Sequence, residues 1–332
     1  MLWFVLRLKL NDILSSGCYN HAGRGFYVSN NCLEENITSG RSSYTSSTIS
    51  DISNCYFVRL SSYSGNGGVI YFTTSGFSMS IKSSMFYYCR VSGSYYGGAI
   101  YFSSSTCNMS HICASYCHSP GAANFAWIQV SSGSTMSLMS VTRCSDITQS
   151  YYPIRLQSGS QIMHSSNLSL NNAYQASGIR LYNTDSFFGA YCTFAHNIAS
   201  YSTCIDWIGK KGEISYSNIV NNVTPARNGI ITITDSAQGT ISWCVLIGNS
   251  HILFYLASGS LTVSNSYIPS DECITSGSVS IISSAQTMST HVISYFSSYH
   301  CHADLSNHEM ESKFIRIKGF GTLYISVIVF LL

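Results

Sequence analysis

Asp185 and Asp206 stand 21 residues apart in a chain with only 14 acidic residues, and a pair of carboxylates is the minimum needed to hydrolyse a glycosidic bond. Asn183 and Thr184 precede the first of them, and a basic triplet, Arg316-Ile317-Lys318, follows far downstream. A lyase would instead need several Asp or Glu around calcium and a basic residue. The sequence contains no doubled aspartate and no Gly-His-Gly, so Asp185 and Asp206 read as turn residues rather than a catalytic set.

Two further groups have the residue types of a metal site. His111, Cys113, Cys117 and His118 form one, and His291, His300, Cys301, His302 and His308 the other. On a strand His111 and Cys113 share a face. Cys117, however, falls in a repeat column described below, and a turn follows it at Ser119-Pro120-Gly121. Stacked interior thiols with histidines facing solvent are the expectation there. No catalytic, cofactor-binding or metal-ligating residue is assigned.

Charged residues make up 9% of the 332, against about 25% in an average soluble domain, while hydrophobic residues make up 45%. Ser, Thr, Asn and Tyr carry the polarity, a composition of strands and turns. The net charge is +2 and Lys210-Lys211 is the only adjacent basic pair, which excludes an electrostatic case for nucleic acid. Thirteen cysteines lack C-x-x-C spacing. Together with Asn-x-Ser/Thr sequons at Asn36, Asn108, Asn167 and Asn222, they favour an extracytoplasmic protein.

The elements that would position any site form an internal repeat. Leu60, Cys89, Cys117, Cys144, Asn171, Asn197, Asn222 and Asn249 follow one another at 29, 28, 27, 27, 26, 25 and 27 residues. A second signal opens each following unit, at Gly67, Gly97, Phe125, Pro153, Gly178, Cys204 and Gly229. In its clearest form it is a glycine pair, Gly67-Gly68 in GGVIYF and Gly97-Gly98 in GGAIYF. Apolar residues alternate before the column, as in Ile241, Trp243, Val245 and Ile247, so each unit holds short strands with one buried face. No unit has room for a helix, and propeller blades run longer, about 40–50 residues.

The spacing therefore predicts an all-β chain folded as a single parallel β-helix, a solenoid of about 8–10 coils, and the family resemblance given below makes it right-handed. Asn171, Asn197, Asn222 and Asn249 should form an asparagine ladder. Cys89, Cys117 and Cys144 should continue it as buried thiols, at a coil spacing that would also admit one disulfide between neighbours. The division expected is an N-terminal lead over 1–25, the β-helix over 26–290, an irregular His-containing cap or stalk over 291–318 and an apolar tail over 319–332. Residues 26–58 should form the first coil with a long loop. The lead, interrupted by Arg7 and Lys9, is a poor signal peptide. The tail is either a final buried strand or part of a membrane anchor in a longer chain.

GGVIYF and GGAIYF, paired with Phe194-Ala195-His196-Asn197, resemble the GGA[ILV] and FxxN repeats of polymorphic membrane proteins. The resemblance implies a pectin-lyase-like right-handed β-helix displayed at a cell surface, often for adhesion. Asn183-Thr184-Asp185 and Arg316-Ile317-Lys318 also look like the NTD and RIK motifs of polygalacturonases. Exposed Tyr in 61–66 and 92–96 offers a recognition surface, since Tyr stacks on sugars at little entropic cost. The functional expectation is a non-enzymatic, surface-exposed or secreted repeat protein that contacts host or cell-surface glycans or proteins. The alternative is a carbohydrate-active enzyme, a lyase or hydrolase, of the same fold.

Overall fold

A computed structural model describes residues 51–144, 151–225, 228–250, 252–270, 275–282, 285, 287 and 289–296, and the backbone of Phe26–Val28 and Ser42–Tyr44. Asn36, the His300–His308 group, Arg316-Ile317-Lys318, the lead over 1–25 and the apolar tail lie outside the described residues. The rest is all-β, a parallel β-solenoid of about seven turns. Three ladders of parallel strands run the length of the rod. Sheet one begins its rungs at Ser42, Ile70, Ile100, Ala126, Ile154, Ile179, Ile205, Ile231, Phe254 and Thr275. Sheet two runs from Asp51–Ser53 to Val279–Ile281, and sheet three from Cys55–Val58 to Val245–Ile247. The turn opened by Ser42 and those opened by Ile70 through Ile231 carry all three strands, and the turns opened by Phe254 and Thr275 are partial.

Some strands bend around the corners without interruption. Ala126–Thr142 pairs with Ile154–Gln157 in sheet one, with Ser160–His164 in sheet two and with Asn167–Ser169 in sheet three. Parallel coil-on-coil stacking places equivalent residues above one another at about 4.8 Å. Like therefore meets like inside. Phe72 stacks on Phe102 at 5.4 Å and Phe57 on Phe86 at 4.8 Å, all fully or nearly fully buried. Where the interior narrows, large and small alternate: a Cβ on Gly212 would meet the Trp207 ring at 2.3 Å.

Each coil turns twice between its second sheet and the next coil's first, and both turns have one construction. A residue in the left-handed region is followed by a buried side chain, in most coils one that hydrogen-bonds, with Leu60, Ile112 and Met139 apolar. At the second turn the left-handed residues are Arg59, Tyr88, Tyr116, Arg143, Leu170, His196 and Asn221, with φ between 53° and 57°. This conformation costs a non-glycine residue about 1–2 kcal/mol. The following residue is the repeat column, and its hydrogen bonds offset that cost. Asn197 Oδ1 accepts from the backbone N–H of Asn171 at 3.0 Å, while its Nδ2 donates to the carbonyl of Leu168 at 2.8 Å. Asn222 repeats this toward Asn197 and Phe194, Asn249 toward Asn222 and Ile219, and Asn171 toward Cys144 and Val141.

The cysteines preserve half of that pattern. Cys89 and Cys117 are free, buried thiols whose Sγ atoms reach the carbonyls of Phe57 and Phe86 at 3.4 and 3.6 Å. These are the carbonyls an asparagine amide would serve in those coils. Cys144 is free as well, so none of the three forms the disulfide that the spacing allowed. The first turn has a ladder that the repeat spacing does not disclose. Backbone N–H groups of Cys55, Met139, Cys192 and Cys244 donate to the hydroxyls of Ser84, Ser166, Ser217 and Ser266 in the next coil.

The glycine pair serves two purposes. Gly67 and Gly97 take φ of 71° and 70°, the left-handed turn into sheet one. Gly68 and Gly98 lie where coils touch, and a Cβ on Gly98 would sit 2.0 Å from the Asn124 carbonyl oxygen. The later openers occupy a different position. Phe125 and Pro153 stand in the rung of Val69 and Ala99, two residues past the first glycine.

Two features lie outside the coils. Phe26–Val28 runs antiparallel to Cys55–Val58, so the approach to the rod is not a plain coil; it covers the first edge of sheet three. Residues 291–296 lie across the outer face of sheet three. Asn218 grips the His291 backbone with both amide atoms, at 2.8 and 2.9 Å, Tyr295 reaches Thr193, and Phe296 packs on Met85 and Cys113.

This burial corrects two sequons. Asn222 is fully buried in the ladder and Asn167 is 1% exposed on sheet three, so neither offers its amide to a glycan, whereas Asn108 is exposed.

Two substitutions test this construction. Asn197→Ala strands a buried N–H and a buried carbonyl, and should lower stability by about 2–4 kcal/mol in urea denaturation; Asn108→Ala should leave it unchanged. Gly98→Ala should cost more than Gly76→Ala, because a Cβ at Gly76, with φ of 80°, adds left-handed strain but meets no atom within 4 Å. Equal midpoints for the two glycine variants would refute the close-approach account.

Candidate functional site

The outward side of sheet one has its own column. In rung order it reads Tyr71, Tyr101, Trp127, Arg155, Arg180, Asp206, Thr232 and Tyr255. The first two are the tyrosines of the repeated hexapeptide. Alternation along the strand sends Ile70 and Phe72 inward and Tyr71 outward. Trp127, Arg155 and Arg180 meet the loops that precede sheet one and enclose a cleft of about 740 Å³. The loops contribute Ser94, Tyr96, Tyr151, Tyr152, Tyr174 and Gln175.

The two arginines are held differently. The Arg155 guanidinium lies between two rings, 4.0 Å from the Trp127 centroid and 4.2 Å from Tyr182, and its Nη1 donates to the Tyr152 hydroxyl at 2.9 Å. Such a sandwich is worth about 2 kcal/mol when desolvated. Arg180 Nη1 donates to Gln175 Oε1 at 2.8 Å, and its Nε lies 3.3 Å from Asp206 Oδ2. That ion pair is largely out of water, with side chains 18% and 11% exposed. Burial pushes the Asp206 carboxyl up to about 6 even though Arg180 pulls it down. Burial likewise raises the Tyr152 phenol, which therefore stays a neutral acceptor for Arg155.

Exposed aromatic residues also stack at the corners. Tyr88 lies on Tyr116 at 4.8 Å, and Tyr191, Tyr216 and Trp243 form a pile with spacings of 5.3 and 6.1 Å. In these piles each ring face is covered by the next ring, leaving mostly edges to solvent. The cleft differs, because Tyr151 meets Tyr174 at 90°. Tyr151 is exposed at the rim of the cleft, so an aromatic ring is available there beside the cationic column.

The structure separates the residues that the sequence offered for chemistry. Asp185 pairs with exposed Lys210 at 2.7 Å, on the strand of Arg180 but five residues further along, away from Asp206. Cys113 is disulfide-bonded, as is Cys55, and Cys117 lies inside the rod. His111 faces Phe296. Among the described residues no three His, Cys, Asp or Glu side chains come together as a metal site. Of the two tyrosine segments, 92–96 supplies Tyr96 to the cleft, while Tyr63 is 68% exposed and not part of it. Trp127, Arg155 and Arg180 were missed. Carrying the repeat forward from Tyr71 and Tyr101 would have found them.

Asp206 gives a pH test. Its carboxyl binds protons more tightly folded, near 6, than unfolded, near 3.9. The associated stability is complete below about pH 4 and is lost as pH rises through 6. Relative to Asp206→Asn, the native chain should lose on the order of 3 kcal/mol between pH 4 and 7. Parallel stability–pH curves for the two would refute the buried-carboxylate account.

Comparison with protein-family models, with curated proteins and with solved structures returns no match to this chain.

Proposed function

We propose that the protein is a non-enzymatic β-helix repeat protein, displayed at a cell surface or secreted, that contacts glycans through the cleft on sheet one. The observation carrying this reading is the cleft itself, an aromatic and arginine surface of the size typical of ligand sites, roughly 300–1,000 Å³. An exposed Tyr151 at its rim supplies stacking area, and buried Trp127 forms part of its wall. The disulfide-bonded Cys55 and Cys113 fit an oxidising compartment. The likeness of GGVIYF, GGAIYF and Phe194–Asn197 to polymorphic membrane protein repeats supports surface display and adhesion. Among the described residues, exposed Asn108 is the sequon best placed to carry a glycan.

The enzyme reading rests on one observation, the perturbed Asp206 carboxyl beside Arg180. Hydrolysis needs a second carboxylate within about 5–9.5 Å, and among the described residues none lines the cleft.

Binding to an oligosaccharide array tests the first reading. The purified protein should retain a subset of glycans, and Tyr151→Ala should weaken retention about tenfold, the loss of one stacking platform. No binding to any glycan would overturn it. Turnover of uronic-acid polymers, with or without calcium, that disappears in Asp206→Ala would instead establish the enzyme.

A further inference from the structure

The cleft carries more positive charge than its surroundings balance. Arg155 and Arg180 occupy neighbouring rungs of one ladder, about 4.8 Å apart along the rod. Two guanidinium groups on adjacent rungs repel unless a counter-charge is present. The carboxylate at hand is Asp206, one rung further on; it pairs with Arg180 and its charge also acts on Arg155, so one carboxylate faces two guanidinium groups. Among the described residues no carboxylate pairs with Arg155, and none of the residues lining the cleft is acidic.

The donors are equally unbalanced. Arg155 Nε and Trp127 Nε1 are both buried without an acceptor. Trp127 and Tyr182 cover the two faces of the Arg155 guanidinium, so its remaining hydrogen-bonding capacity lies in the plane of the fork. A planar fork fixed in this way matches two oxygens of one carboxylate or sulfate. A stacking ring stands across the same cleft at Tyr151.

Resting on the glycan reading above, we propose that the cleft selects acidic glycans, with a carboxylate or sulfate group of the sugar seated against Arg155 and Arg180. Nucleic acid is also anionic and stacks on aromatic rings, but its binding grooves follow the backbone with repeated basic residues. Here the lining beyond the two arginines is Ser, Gly, Pro, Ala, Gln and aromatic.

Calorimetric titration of the whole protein with four probes tests the proposal: an oligogalacturonate, a heparin-derived sulfated oligosaccharide, a neutral oligosaccharide of equal length, and a single-stranded oligonucleotide. At least one acidic glycan should bind about tenfold or more tightly than the neutral one, and less tightly as salt is raised. The first two probes distinguish carboxylate from sulfate. Arg155→Gln should remove most of that preference, and Arg155→Lys should restore part of it. Because Arg155→Gln could unfold the wall of the cleft, the charge preference and salt dependence of the unaltered protein stand as a test that needs no variant. Equal affinity for acidic and neutral glycans would overturn the charge selection and leave glycan contact intact. Binding of none of the glycans would overturn both. Tightest binding of the oligonucleotide would replace the proposed ligand class.

Discussion

The fold depends on closing the backbone at two sharp turns in every coil. A β-helix of short coils must change direction repeatedly, and each change exposes N–H and carbonyl groups to an interior without water. Here a residue in the left-handed region makes the turn, and a buried amide, hydroxyl or thiol from the adjoining coil satisfies the groups left behind. Each turn is thus completed by the coil above it. Stability is a nearest-neighbour property, and a lost ladder side chain is felt in the coil below rather than in its own.

The same constraint explains why asparagine gives way to cysteine in the repeat column. Asparagine serves both a donor and an acceptor in the preceding coil. A thiol reaches the carbonyl but gives a weaker bond and little acceptor strength. Burial keeps the thiols of Cys89 and Cys144 protonated, so they behave as small apolar fillers with one weak donor. The serine ladder at the first turn performs the corresponding task where less room is present.

With its inner positions committed to stacking, the rod has only outward positions and corner loops free for recognition. Most outward aromatic residues pile on their own kind, because the coil spacing of about 4.8 Å suits ring stacking. The cleft on sheet one breaks that pattern. Loops of differing length set Tyr151 at 90° to Tyr174 and tilt Tyr96 on Trp127, and the column changes from aromatic to cationic to acidic between Trp127 and Asp206. Arg155 is fixed by flanking rings rather than by an acid, which leaves its charge available.

The sequence by itself determined the repeat, the all-β parallel stacking and the ladder from Leu60 to Asn249, because every coil must meet the same packing and hydrogen-bonding demand at the same position. It also indicated that glycine opens a turn at Gly67 and Gly97, though the close approach at Gly68 and Gly98 needed the neighbouring coil. The serine ladder was hidden, since Ser is common throughout the chain and its column alternates with Cys, Met and Ile. The three-dimensional fold was needed for the burial of Asn167 on sheet three, the separation of Asp185 from Asp206, and the convergence of Trp127, Arg155 and Arg180 with loops from other coils. Outward residues obey no repeat demand, so their meeting depends on how coils stack and how far each loop reaches.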